Sequence, residues 1–231
     1  MTRTARELLD STVRKLAPEP HANRLLPLIA RGAAQRSTLA VLALEQRHVI
    51  PADRRAFLHL AERSAVGAEV PAAAPQSAAF FEMLAEGEAL AQVRLGAFAA
   101  AVGADQVQAA GYEPLADCQT YPAYVAWLAL NGSPADVVLA LVANFATWGG
   151  YCSAIAEALR HHYRLDDEAC GFFDFFAAPA PELERRALDA VQAGLDTGEV
   201  DEGEVLRYGR LLQGYEARFW HALWELDQRQ S

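Results

Sequence analysis

Residues 133–163 read SPADVVLALVANFATWGGYCSAIAEALRHHY, and the fold class turns on this stretch. Ser133 stands as an N-cap, Pro134 at the first helical position and Asp136 near the positive end of the peptide dipole, so a helix begins here. Beyond them nearly every position is apolar, whichever face of the helix it falls on. Such a helix must be buried all round. Carried to Tyr163 it would be about 40 Å long at 1.5 Å per residue. That length is enough for a membrane span, but Asn144, Thr147, the Gly149-Gly150 pair and Ser153 interrupt the apolar run, which favours the central helix of a bundle. The two adjacent glycines allow a kink or a close backbone approach.

The same helical spacing of apolar residues recurs outward in both directions, and no segment alternates with period 2. Toward the amino terminus the pattern predicts helices from about Ala5 to Leu16, ended by Pro18 and Pro20, and from about His21 to Ala34. Residues 37–50, STLAVLALEQRHVI, form a second stretch apolar on nearly every face, and Pro51 with Asp53 restarts a helix through Arg63. SAVGAEVPAAAPQSAA (64–79) reads as the clearest loop. Further helices are expected over about Ala79–Ala101, Leu115–Leu130, Glu182–Leu195 and Glu202–Leu226, with an aromatic loop GFFDFFAAPAP (171–181) between. There is no internal repeat, and the length suits one all-α domain over residues 1–231.

With 231 residues, 52% of them hydrophobic and only 22% charged, the chain builds a core without staples and is neither disordered nor low-complexity. The net charge of −10 repels phosphate backbones and anionic membranes, so neither nucleic acid nor a membrane is expected as a partner. The charge is uneven: residues 1–66 hold 11 of the 20 basic side chains and only 6 of the 30 acidic ones, but Arg3, Arg6, Arg14, Arg24, Arg31 and Arg36 are spaced singly, as on solvated helix faces. Lys15 is the only lysine and follows no Gly-rich loop, which argues against a P-loop and against Schiff-base chemistry. Cys118, Cys152 and Cys170 are odd in number and have no CxxC spacing, so neither a disulfide framework nor a zinc site is suggested. With an amphipathic start that lacks the apolar core of a signal peptide, a cytoplasmic location is expected.

Chemistry is suggested first by Gly214-Tyr215-Glu216-Ala217-Arg218-Phe219-Trp220. A carboxylate inside such an aromatic cluster is desolvated, its pKa rises toward values useful for general acid/base work, and its neighbours can stack a flat ring. The alternative is a surface Glu216 with Phe219 and Trp220 turned inward. Glu45 and His48, three apart, share one face of the apolar early helix, and Glu157 and His161, four apart, share a face of the long one. Together with Glu216 and His221 these have the residue types of a carboxylate-bridged iron site, but only Glu45-x-x-His48 has the required spacing. No metal or other cofactor is expected.

At this point the pattern resembles the TenA / thiaminase-2 / PqqC-like family, whose members have a haem-oxygenase-like multi-helix bundle. Tyr215-Glu216-x-x-Phe219-Trp220 is similar to the family's segment around its catalytic Glu. Leu44-Glu45-x-x-His48 resembles its carboxylate-x-x-Tyr pair, and Tyr124-Val-Ala-Trp-Leu128 with the helix containing Val138–Ala143 resembles its Tyr-bearing and long apolar helices. At the position of the family's nucleophilic Cys stands Asn144 or Trp148, depending on which side of the helix the comparison starts from; Cys152 lies one turn beyond Trp148. The resemblance implies a buried pocket for a small heterocyclic metabolite of thiamin-pyrimidine kind. Glu216 and Glu45 would be its catalytic groups, with His48, Tyr124, Asn144, Trp148, Tyr215 and Phe219 binding the ligand. It implies either a thiaminase-2-like hydrolase variant without the usual Cys or a PqqC-like cofactorless oxidase, and a dimer or tetramer. A haem-oxygenase-like non-haem iron oxidase and a non-enzymatic binding or interaction member of the fold are the alternatives.

Overall fold

A computed structural model describes residues 3–18, 22–65, 74–104 and 109–230. Among them lie nine α-helices and no strand: α1 (Ala5–Lys15), α2 (Leu26–Ala30), α3 (Arg36–Ala65), α4 (Ala74–Ala101), α5 (Ala116–Asn131), α6 (Pro134–His161), α7 (Asp167–Ala177), α8 (Pro181–Thr197) and α9 (Glu202–Gln230). Helix α6 is the apolar stretch quoted above. Its length and composition would suffice to cross a membrane, but in this fold α1, α2, α4, α7, α8 and α9 all pack against it. Helices α3 and α4 pair along their lengths, and α5 packs on α3 and α9.

Helix ends are fixed by side chains from both near and far. Thr4 and Glu7 form a reciprocal capping box on α1, and Asp166 caps α7 by accepting from the Ala169 N–H at 2.9 Å. The start of α3 is capped from the other end of the chain, since Asp227 on α9 accepts from the Gln35 N–H and the Thr38 hydroxyl, both at 2.8 Å. Pro134 opens α6 as its residue type dictates, while the Ser133 side chain makes no capping bond. Asp136 instead accepts from the Asp201 N–H at 2.9 Å, which ties the α8–α9 connection to the start of α6.

Apolar side chains gather in two clusters strung along α6. Val137, Val138 and Leu141 pack with Leu8, Phe57 and Phe81 at its start, and Ile155 and Leu159 pack with Phe98, Phe173 and Trp220 toward its end. The middle of α6, from Asn144 to Trp148, lies between them.

Four expectations are corrected. Pro51 does not restart a helix: α3 runs through it, because Leu42, Ile50, Phe57 and Leu60 on both sides of the proline are all buried and their packing outweighs the backbone hydrogen bond that Pro51 cannot make. GFFDFFAAPAP is not a loop over its first part, since Phe172 and Phe173 are buried in helical register on α7. Within the expected His21–Ala34 helix only Leu26–Ala30 is helical, and Asn23 accepts from the Leu25 and Leu26 N–H groups just before it; His21 lies outside the described residues. The 64–79 loop shrinks, because α3 extends to Ala65 and α4 begins at Ala74; residues 66–73 lie outside the described residues. At Gly149 a Cβ would come within 3.2 Å of the Phe176 carbonyl oxygen, so the glycine serves close approach of α7 to an uninterrupted α6.

Replacing Asp227 with Ala removes the acceptor shared by Gln35 and Thr38. Urea denaturation should show a loss of about 2 kcal/mol, and an unchanged midpoint would show that the cap adds nothing.

Candidate functional site

Beside the middle of α6 the bundle leaves a cavity of about 1010 Å³, a volume suited to a small molecule. One side is aromatic, formed by Trp148 of α6, Phe175 and Phe176 of α7, and Phe219 and Trp220 of α9. Trp148 lies 6.0 Å from the Trp220 ring and 5.8 Å from that of Phe176, the first tilted and the second edge-on. The rim carries exposed Arg6, Asp10 and Arg14 of α1 and Glu184 of α8, with Arg6 paired to Glu184.

Glu216 lies in this wall, buried, on the inner face of α9. Its Oε2 accepts from the Asn144 side-chain amide at 2.7 Å and its Oε1 from the Trp220 indole N–H at 3.3 Å. Asn144 in turn accepts from the Tyr121 hydroxyl at 3.1 Å, so a chain of hydrogen bonds joins α5, α6 and α9. Burial raises the Glu216 pKa above the ordinary carboxylate range, and the two donors offset part of that rise. The same charge, added to burial, pushes the Tyr151 phenol up to about 12.

Two further carboxylates face the cavity, Asp53 from α3 and Glu88 from α4. Asp53 is 6% exposed, and its Oδ1 has no hydrogen-bond partner. Burial raises its pKa to about 8; burial and then the charge of Asp53 raise that of Glu88. Among the described residues no Arg or Lys forms an ion pair with Asp53, Glu88 or Glu216. Gln46 of α3 also lines the space.

Of the residues singled out in the sequence, Glu216, Asn144, Trp148 and Phe219 come together here, and Glu45, His48, Tyr124 and Tyr215 do not. Glu45 is fully buried but outside the cavity wall. It accepts from the Tyr112 hydroxyl at 2.5 Å, the Leu115 N–H at 2.7 Å and the Gln119 amide at 2.7 Å, and so anchors the start of α5 to α3. Its acceptor capacity is spent on structure, and it does not meet Glu216. His48 is exposed, with its ring 6.3 Å from that of Tyr112. Tyr124 stacks on Trp127 at 5.6 Å and leans on Tyr215 at 5.1 Å, in a separate aromatic cluster.

Cys152 is buried in the core outside the cavity wall, and its thiol pKa is raised by burial, so no sulfur nucleophile faces the space. The iron set is dispersed: Glu157, His161 and His221 are exposed, and His221 faces Glu225. Among the described residues no group of three or more His, Cys, Asp or Glu is arranged to hold a metal ion. The side chains therefore do not fit that centre.

Asp53, Glu88 and Tyr121 are cavity residues that were not expected in the site: the sequence pattern marks Asp53 only as a helix-start residue. The signal for Asp53 was its register: it follows Gln46 by seven positions and Val49 by four, and precedes Phe57 by four, which puts a carboxylate on the buried face of α3.

No family model and no curated protein matches the sequence. Among solved structures, a domain of unknown function with a heme oxygenase-like fold from Shewanella denitrificans OS217 is similar, at 17% identity and a TM-score of 0.67 over 97% of this chain and 90% of that one. A TenA homologue from P. horikoshii OT3 is similar at 14% identity and a TM-score of 0.66, over 96% of both chains. The chain thus has a haem-oxygenase-like all-helical fold.

Two outcomes follow from these environments. Glu45→Ala would strand three donors and should cost about 3 kcal/mol in urea denaturation; a loss well under that would mean the donors find other acceptors. For Asp53, the folded pKa of about 8 lies above the ordinary 3.8, so the folded chain holds this proton more tightly than the unfolded one. The stability it contributes is complete below pH 3.8 and is lost as pH rises through about 8. Asp53→Asn should therefore raise the thermal midpoint most above that pH, with the gain shrinking as pH falls toward the lower value; a gain independent of pH would show that Asp53 titrates normally.

Proposed function

We propose that the protein binds, and transforms by proton transfer at Glu216, a small flat heterocycle rich in hydrogen-bond donors, of thiamin-pyrimidine kind. The observation that carries this reading is a buried carboxylate, held by Asn144 and Trp220, in the wall of a cavity with an aromatic side and no cationic partner for the acid. An aromatic surface takes the face of a ring, and an unpaired carboxylate in a site of low dielectric accepts strongly from ring or amino N–H groups. Burial raises the Glu216 pKa, so its carboxyl group is a stronger proton acceptor than an exposed one. The structural likeness to a TenA homologue is consistent with a ligand of this class. With Asn144 and Trp148 in the wall and every cysteine outside it, the chemistry offered by the side chains is acid–base rather than covalent attack by a thiolate.

The test is calorimetric titration with aminopyrimidines, followed by turnover assays on those that bind. Glu216→Gln retains an acceptor for the Asn144 amide but not the charge, so the fold should persist while affinity falls roughly tenfold to a hundredfold and turnover is lost. Equal binding by the variant and the native chain would overturn the reading.

A further inference from the structure

The carboxylates of the cavity do not share one environment. Glu216 on α9 already receives two N–H donors. Asp53 Oδ1, buried on α3, receives none, and Glu88 on the adjoining α4 has no ion-pair partner among the described residues. A buried acceptor without a donor costs roughly 1–3 kcal/mol, and a charged one more. Where such a group faces an open cavity, a ligand can supply what the protein leaves out.

We infer that Asp53 and Glu88 form a second cation subsite, so that the ligand is a flat ring carrying two separated cationic nitrogens, one held by Glu216 and the other by this pair. This rests on the reading of Glu216 given above and extends it to the part of the cavity lined by α3 and α4. In the free chain burial holds the proton on Asp53; an ammonium set against Asp53 and Glu88 would favour their ionised forms, supplying both the missing donors and the compensating charge. Tyr121 of α5, which lines the same space, feels the charge of Asp53, Glu216 and Glu88 together, as expected of a group placed among them. A divalent cation fits less well than an ammonium, since no third ligating side chain joins the pair among the described residues. An anionic substituent at this end would meet two carboxylates, and the Arg residues available to it, Arg6 and Arg14, stand exposed at the rim.

Calorimetry with benzylamine, para-xylylenediamine and a series of diaminoalkanes of increasing length tests the inference. In the native chain the best diamine should bind at least about tenfold more tightly than benzylamine, with an optimum length that reads the spacing of the two subsites. Asp53→Asn and Glu88→Gln should each collapse that ratio toward unity, whereas Glu216→Gln should weaken all the probes. Both pocket variants replace a carboxyl group by a neutral amide of the same shape and are expected to be at least as stable as the native chain, so loss of the ratio would not reflect unfolding. The inference is overturned if diamines and benzylamine bind equally to the native chain, if Asp53→Asn and Glu88→Gln weaken both by the same factor, or if magnesium or manganese alone gives a thermal shift that Asp53→Asn abolishes. If benzylamine binds through Glu216 without a diamine preference, the second subsite fails and the function proposed above stands; if no probe binds, both fail.

Discussion

Helix α6 presents apolar residues around its whole circumference, and each of them needs a neighbour other than water. Helices packed around a common axis can supply that cover, which accounts for six others lying against it. Cover is densest at the two ends, where Val137–Leu141 and Ile155, Ala156, Ala158 and Leu159 are buried, and thinnest over Phe145–Trp148. The cavity is thus a product of the same packing that makes the core. Polar residues sit on its walls because the aromatic and aliphatic clusters on either side already close the bundle.

Buried acids are used in two opposite ways. Glu45 accepts from three donors and Asp227 from the Gln35 N–H and the Thr38 hydroxyl, and both act as joints, one between α3 and α5 and the other between α3 and α9. Asp53 has an oxygen left without a donor where it borders open space, and Glu216 stands between the extremes. The difference is one of partners rather than of depth, since Glu45 is the most deeply buried of these groups and has no part in the cavity.

That distinction also explains what the sequence made legible. The bounds of α1, α6 and α9 could be read because caps, prolines and apolar spacing act locally. Continuity of α3 through Pro51 could not, since it depends on what Leu42 and Phe57 meet across the bundle. The phenylalanines of α7 were obscured by the Gly and Pro residues around them. In the site, Glu216 was visible through its aromatic neighbours and Asn144 through its place in an otherwise apolar helix. Glu45 was rightly expected to be buried, but its donors come from 67 to 74 residues away and no local pattern shows them. Asp53 looked like a helix-start residue after a proline, and Glu88 like one charge in an acidic, glycine-containing stretch.

The chain from Tyr121 through Asn144 to Glu216 gives the carboxyl group a direction. Each link points the same way, hydroxyl to amide oxygen and amide nitrogen to Oε2, so the Asn144 side chain is locked against flipping and Oε2 is permanently engaged. Oε1 holds only the longer indole contact and is the oxygen on which an incoming proton can settle. A ligand would therefore meet a carboxyl whose two oxygens differ, and protons would be exchanged on one side of it, which imposes a facial preference on any reaction taking place there.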